Sequence, residues 1–257
     1  MFSILLLAFL TSVSSFAQLS RSDFDGDGAV GFTDFLLFAE AFGSANAAFD
    51  LDSSGTVDFG DFLAFVKDFA LENTAPVSSA TYRVTFDATW SASTNPTDFP
   101  TDGLAHFSPL VGATHNADVT FWASGELATE GVKQMAETGQ TGALGGEVNT
   151  AISAGDAGAV LLGPDVAPSP GSATFTFEID ENNPFVTLVT MIAPSPDWFV
   201  GVAGVNLYEG GGWVSEVSFP LSPGDSGTDS GTSYTAEDQA TEPPGSISSL
   251  LSRNVAD

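Results

Sequence analysis

The chain has 257 residues, room for one small and one mid-sized domain, and sets 33 Asp and Glu against 5 Lys and Arg for a formal net charge of −28. That balance argues against nucleic acid as a partner, because phosphate-backbone binding needs clustered Lys and Arg. It suits divalent cations or a saline habitat, and the absence of cysteine excludes thiol catalysis and thiolate metal sites.

Residues 1–17 read as a secretory signal. Ile4 to Leu10 form a short apolar core, and Ser15-Phe16-Ala17 offers small residues for cleavage before Gln18, although no Lys or Arg precedes the core. The apolar run is too short for a membrane span, so none is expected after signal removal. An exported chain without disulfides must rely on core burial, bound metal, or both.

Two acidic loops come next, Asp23 to Asp34 and Asp50 to Asp61. Both place oxygen-bearing side chains at loop positions 1, 3, 5 and 12, with Gly at 6 and a β-branched residue at 8. A hard cation such as Ca²⁺ takes about six to eight oxygens, and a loop of this length wraps them only if position 6 turns sharply. Gly28 and Gly55 supply that turn, which a Cβ-bearing residue would resist. The expected ligands are Asp23, Asp25, Asp27 and Asp34 in the first loop, and Asp50, Asp52, Ser54, Asp58 and Asp61 in the second. Ala29 and Thr56 would add backbone carbonyls at position 7. Extracellular calcium is commonly millimolar, so even weak loops would fill outside a cell.

The two loops are copies of one unit. A shift of 27 residues lays Asp23 on Asp50, Gly28 on Gly55, Val30 on Val57 and Asp34 on Asp61, then Phe32 on Phe59 and Phe38 on Phe65. After each loop, apolar residues recur at helical spacing: Phe35, Leu36, Ala39 and Phe42, then Phe62, Leu63, Val66 and Phe69. Simple Asp-capped helices would explain one Asp per helix and leave the other ligands without a reason. Only Gln18 to Ser22 precede the first loop in the mature chain, too few for an entering helix. The pair therefore resembles the dockerin family over residues 18–73. The resemblance implies a cohesin-type partner, which dockerins grip through Ser or Thr at loop positions 10 and 11. Phe32-Thr33 and Phe59-Gly60 depart from that pattern.

Residues 74–78 form a linker, since Glu72-Asn-Thr-Ala-Pro76 breaks the helical pattern. From Thr81 the texture changes. Tyr82, Val84, Phe86, Ala88 and Trp90 alternate with polar residues, which predicts a strand with one buried face. Phe175 and Phe177 alternate likewise, Val186 to Ala193 reads as a central strand, and Val200 to Leu207 follows. One helix is predicted at Glu130 to Glu137, and the turn-rich remainder argues for an antiparallel sandwich.

Three segments carry a second resemblance: Tyr82 to Trp90, His106 to His115, and Pro194-Ser-Pro-Asp-Trp-Phe-Val-Gly201. With Trp213 and Asp225-Ser-Gly-Thr-Asp-Ser-Gly231, they resemble the spondin N-terminal domain over residues 79–250, leaving 251–257 as a tail. The resemblance implies an eight-stranded antiparallel β-sandwich, a matrix or adhesion role, and one calcium site on loops at one end. The matching ligands are Asp197, Asp225 and Asp229. Chemistry agrees: Asp225 and Asp229 flank Gly227, where a tight turn could bring both carboxylates to one cation, and Pro196 stiffens the loop before Asp197. The family usually has an aromatic before the first of the paired Asp residues and Ala after it; here Gly224 and Ser226 stand there.

Enzyme readings lack parts. Gly224-Asp225-Ser226-Gly227 mimics a trypsin-like nucleophile run, but that chemistry needs an oriented His base, and only His106 and His115 exist. Dockerins often accompany carbohydrate-active enzymes, yet nothing selects an acid–base pair among Glu126, Glu130, Glu137 and Glu147. The chain reads as a mixed-fold protein: a small α-helical dockerin-like domain with EF-hand loops, then an all-β sandwich. It is an exported, non-catalytic calcium-binding attachment module, whose partner is an extracellular protein or glycan. The alternative is a carbohydrate-binding or carbohydrate-degrading module anchored through its dockerin-like half.

Overall fold

The computed structural model describes residues 2–9, 21–27, 30–72, 78–100 and 103–252. The chain divides into two compact units, Ser12–Val77 and, as the other, Met1–Thr11 with Ser78–Asp257. The expected linker lies mostly outside the described residues.

The small unit holds two helices, α1 (Phe32–Ala41) and α2 (Phe59–Glu72). Each starts where the twelfth residue of an acidic loop folds back on it. Asp34 accepts a hydrogen bond from the Gly31 N–H at 2.7 Å, and Asp61 accepts one from Asp58 N–H at 2.8 Å. Both bonds satisfy helix-end amides that lack an intrahelical acceptor. Phe24, Phe38 and Phe65 make the centre, with ring centroids 5.6 Å apart for Phe38 and Phe65 and 6.1 Å for Phe24 and Phe65. Val30 and Val57, the paired eighth loop residues, are buried beside them. The expected apolar stripe does not all turn inward. Leu36, Phe42, Leu63, Val66 and Phe69 are exposed, and Phe32 and Phe59 more so at 69% and 63%. Two short helices share a single contact line, which Phe38 and Phe65 fill, so the flanking apolar positions have nothing to bury against.

The large unit contains strands β1 (Phe2–Phe9), β2 (Ser79–Ala88), β3 (His106–Phe107), β4 (Val111–His115), β5 (Ala157–Leu162), β6 (Gly171–Asp180), β7 (Phe185–Ala193) and β8 (Trp198–Asn206). Five short strands follow: β9 (Tyr208–Glu209), β10 (Gly212–Trp213), β11 (Glu216–Leu221), β12 (Gly224–Asp225) and β13 (Ser248–Ser249). One antiparallel sheet runs β11-β1-β2-β6, and the other runs β13-β12-β8-β7-β4-β5 with β3 added on β7. Strands β9 and β10 form a separate hairpin. The expected eight strands thus become thirteen among the described residues, because several edges carry two-residue additions.

The alternation predicted for β2 is observed: Ala80, Tyr82, Val84, Phe86 and Ala88 are buried. They meet Val186, Leu188, Ile192 and Val200 of the second sheet in one core. The predicted central strand β7 is buried from Val186 to Ala193. Its opposite face, with Val189 and Met191, packs on helices α3 (Glu130–Thr138) and α4 (Gly142–Ala154). The all-β expectation is corrected here. An apolar outer sheet face needs a cover, and two helices provide it. Helix α3 matches the expected Glu130 to Glu137; α4 does not announce itself, since Gly142, Gly145 and Gly146 lower its helix propensity. Leu144, Val148 and Ala151 nevertheless repeat at helical spacing and are buried.

Part of the expected leader lies among the described residues. Phe2–Phe9 forms β1 between β2 and β11, with Ile4 and Leu6 in the core at 1% and 0% exposure. The same uninterrupted run of Ile and Leu that suits a leader suits a buried strand equally. The remainder of the expected signal, residues 10–17, lies outside the described residues.

Tyr82 joins the sheet to the hairpin region. Its buried hydroxyl donates to the Val214 carbonyl, with the Leu207 carbonyl 3.4 Å away, and burial pushes its pKa up to about 12. The folded value lies above the unfolded one, near 10, so this contribution is complete below pH 10 and is lost as pH rises through 12. Tyr82→Phe is expected to cost about 1 kcal/mol at neutral pH. It should also flatten the alkaline fall in stability, read from urea melts at pH 8 and pH 11. An equal alkaline fall in both proteins would remove Tyr82 as its source.

Candidate metal centres

The loop between β7 and β8 delivers Asp197, and β12 with the turn after it delivers Asp225 and Asp229. Register places Asp225 opposite Trp198, the neighbour of Asp197. Asp197 is fully buried, and its Oδ2 accepts hydrogen bonds from Ser226 Oγ at 2.9 Å, Thr228 N–H at 2.8 Å and Asp229 N–H at 3.1 Å. Its other oxygen, Oδ1, is buried without a hydrogen-bond partner. Asp225 Oδ1 accepts from Gly227 N–H at 2.9 Å, and Asp229 accepts from Gly231 N–H at 2.7 Å and Gln239 N–H at 2.5 Å.

Gly227 makes the turn between the two carboxylates. Its φ is +78°, and a Cβ there would stand 2.5 Å from the Gly245 carbonyl oxygen, so both conformation and space require glycine. Ser226, where the family usually has Ala, fastens Asp197 through its hydroxyl. Asp197, Asp225 and Asp229 are all buried, and one oxygen of Asp197 is orphaned; burying such charge without compensation is costly, and a hard cation would offset that cost. The trio is not among the groups whose carboxylate atoms already converge within 4.8 Å of one another.

Such convergence occurs in the small unit, for Asp23, Asp25 and Asp27 and for Asp50, Asp52 and Asp61. Gly55 has the expected positive φ, +97°, whereas Gly28 and Ala29 lie outside the described residues. The fourth loop position, unremarked in the sequence, is left-handed in both copies: Gly26 at +76° and Ser53 at +63°. Asp34 Oδ1 accepts from Phe24 N–H at 2.6 Å and Asp25 N–H at 3.1 Å. Asp61 Oδ1 does the same for Leu51 N–H at 2.6 Å and Asp52 N–H at 3.0 Å. Burial raises the pKa of each carboxyl, but the backbone N–H donors outweigh it and hold both below the usual carboxylate range. Both residues are fully interior, so they brace the loop ends as well as facing them. The Ser54 hydroxyl donates to the Thr56 carbonyl at 3.0 Å, which leaves its oxygen lone pairs for a cation. Asp58 accepts from Gly60 N–H at 2.7 Å.

The nucleophile-like Ser226 is buried and hydrogen-bonded to Asp197. The histidines stand apart from each other. His106 pairs with Ala193 and His115 with Phe185, eight positions apart along β7, or roughly 26 Å at strand rise. His115 Nε2 lies 2.9 Å from Thr187 Oγ1, Nδ1 lies 2.7 Å from the Asn116 carbonyl, and burial lowers the ring's pKa. His106 Nδ1 sits 2.7 Å from the Leu104 carbonyl. Two of the acid–base candidates have structural work: Glu147 accepts from Gly131 N–H and Thr129 Oγ at the start of α3, and Glu130 accepts from Gln134.

The sequence profile of the family described as Spondin_N matches residues 80–257. This chain belongs to the spondin N-terminal domain family. It is similar to rat spondin-2, 34% identical over 173 residues that cover 66% of this chain and 52% of the relative. It is also similar to human spondin-2, at 33% over 175 residues covering 67% of this chain and 53% of the relative. Chicken spondin-1 is 35% identical over 182 residues, 68% of this chain and 22% of the relative. The chain thus spans about half of the spondin-2 sequences and under a quarter of spondin-1. Spondins are extracellular, and this spondin-family chain is a secreted or cell-surface protein. Among the described residues no helix is long and apolar enough to cross a membrane.

Proposed function

We propose that this chain is a calcium-binding attachment module of the extracellular matrix or cell surface, without catalysis. In this reading the sandwich takes one Ca²⁺ at Asp197, Asp225 and Asp229, and the small unit is dockerin-like and takes two in its acidic loops. The observation that carries the reading is Asp197: a fully buried carboxylate, anchored by four donors through one oxygen, with its second oxygen unpartnered. Calcium would fix the loop end of the sandwich, and the partner would be an extracellular protein or glycan. For the small unit, the exposed Phe32 and Phe59 stand where a dockerin presents Ser or Thr to cohesin, which favours a more apolar partner surface.

Calorimetry on the full chain tests the stoichiometry. The parent is expected to bind three Ca²⁺ and the Asp225→Asn/Asp229→Asn variant two. The amides keep the shape and lose two charges, so the fold should survive with a weakened site. Undiminished stoichiometry in the double variant would sink the sandwich site. Attachment to matrix-coated surfaces should need calcium and leave the surface chemically unchanged; release of sugar would instead favour the carbohydrate-active alternative.

A further inference from the structure

The sheet β11-β1-β2-β6 is continuous only through β1. Phe2–Phe9 makes eight registered pairs with β2, from Phe2↔Ala88 to Phe9↔Thr81, and six with β11, from Phe2↔Leu221 to Leu7↔Glu216. Strands β2 and β11 have no ladder of their own with each other. They stand two strand spacings apart, about 9.5 Å, and β1 fills the gap. Ile4 and Leu6 point into the core that Tyr82, Val84 and Phe86 also line. No charged residue occurs from Phe2 to Phe9.

Yet this same segment reads as part of an export leader, and the protein is extracellular. A leader cut before Gln18 takes β1 with it. The gap would then leave the facing N–H and C=O groups of two strands unpaired and open the core beneath them, both costly outcomes. Resting on the leader reading, we propose that the space between β2 and β11 is a strand-accepting slot. In the mature protein it takes an extended segment from a partner chain, antiparallel to both neighbours. Its occupant is an uncharged stretch of about eight residues with branched aliphatic side chains at alternate positions, the chemistry that Ile4 and Leu6 satisfy here. Backbone pairing on both sides supplies affinity, and the two inward side chains supply selection.

The test begins with the protein as secreted by its producing cells. N-terminal sequencing should find a start at Gln18; a secreted chain that keeps Phe2–Phe9 fills its own slot and overturns the proposal. The secreted protein is next refolded from urea with a synthetic Phe2–Phe9 peptide carrying a lysine tail. A control peptide has Ile4→Asp and Leu6→Asp. The parent peptide should bind about a hundredfold tighter than the control, because the control buries two unpaired charges. It should also slow hydrogen exchange at residues 79–88 and 216–221 specifically. If the protein folds only with the parent peptide present, that equally supports the slot. Equal binding of both peptides, or no added protection in those two strands, overturns it.

Discussion

Replacing Asp34 and Asp61 together by alanine is expected to unfold the small unit while the β-rich unit stays folded. Each carboxylate accepts three backbone N–H bonds from its own loop: Phe24, Asp25 and Gly31 for Asp34, and Leu51, Asp52 and Asp58 for Asp61. Alanine would leave these donors without an acceptor, at about 1–3 kcal/mol for each one that stays buried. A unit of some fifty residues without disulfides has a folding margin of only a few kcal/mol. On the proposed calcium reading, the variant would also lose a ligand from each loop. Bound ligand adds roughly 2.7 kcal/mol at a hundredfold excess over Kd, so chelation of the parent should act in the same direction. Hydrogen exchange read by mass spectrometry separates the units: residues 30–72 should lose protection, while β2 and β7 keep theirs. Persistent protection of α1 and α2 in the variant would show that the phenylalanine centre alone holds this unit.

Gly112→Ala is expected to destabilise the large unit by about 3 kcal/mol, at the upper end of typical overpacking costs. Gly112 sits in β4 opposite Leu188 of β7, and a Cβ there would fall 1.8 Å from the Thr187 carbonyl oxygen. On the other flank of β7, Gly201 of β8 makes a similar approach, 2.3 Å from the Leu188 carbonyl oxygen. Backbone presses on backbone at both places, so no side chain can swing aside. The melting temperature should fall by roughly 6–12 °C for a unit of this size. Calcium affinity at the proposed Asp197 site should fall with it, because β8 begins at the next residue, Trp198. Gly146→Ala in α4 is the control: nothing lies within 4 Å of the added Cβ, and helix propensity should make it neutral or stabilising by up to about 1 kcal/mol. A Gly112→Ala protein that melts with the parent would show that β4 and β7 part without cost.

Strong periodicity was the legible part of the fold. The alternation from Tyr82 to Ala88 and the apolar run from Val186 to Ala193 identified a strand with one buried face and a central strand, because each pattern has one packing solution. Helix α3 was legible for the same reason. Helix α4 was not, since its glycines suppress local propensity and only contact with the sheet makes it a helix. The two repeats declared their loops through the 27-residue offset, but they did not declare which helix face is buried. Phe38 and Phe65 look no different in sequence from the exposed Phe42 and Phe69; the geometry of one helix pair decides between them. Asp34 and Asp61 were legible as ligands and illegible as braces, because their partners are backbone amides that carry no sequence signature. The segment Ile4 to Leu7 shows the limit most clearly: a leader core and a buried strand ask for the same side chains.

The mooring of β12 has a mechanical meaning. Beyond Leu221 the chain rejoins the sandwich through two residue pairs of β12 with β8, through the bridge of Ser246 to Leu127, and through the grip of Asp197 on Ser226, Thr228 and Asp229. A pull on this stretch would peel those pairs one after another, which takes little force for so short a ladder. A divalent ion shared by Asp197, Asp225 and Asp229 would make the same path part all at once. Under tension, the hold of such a module would stiffen in calcium-rich surroundings and slacken in dilute water.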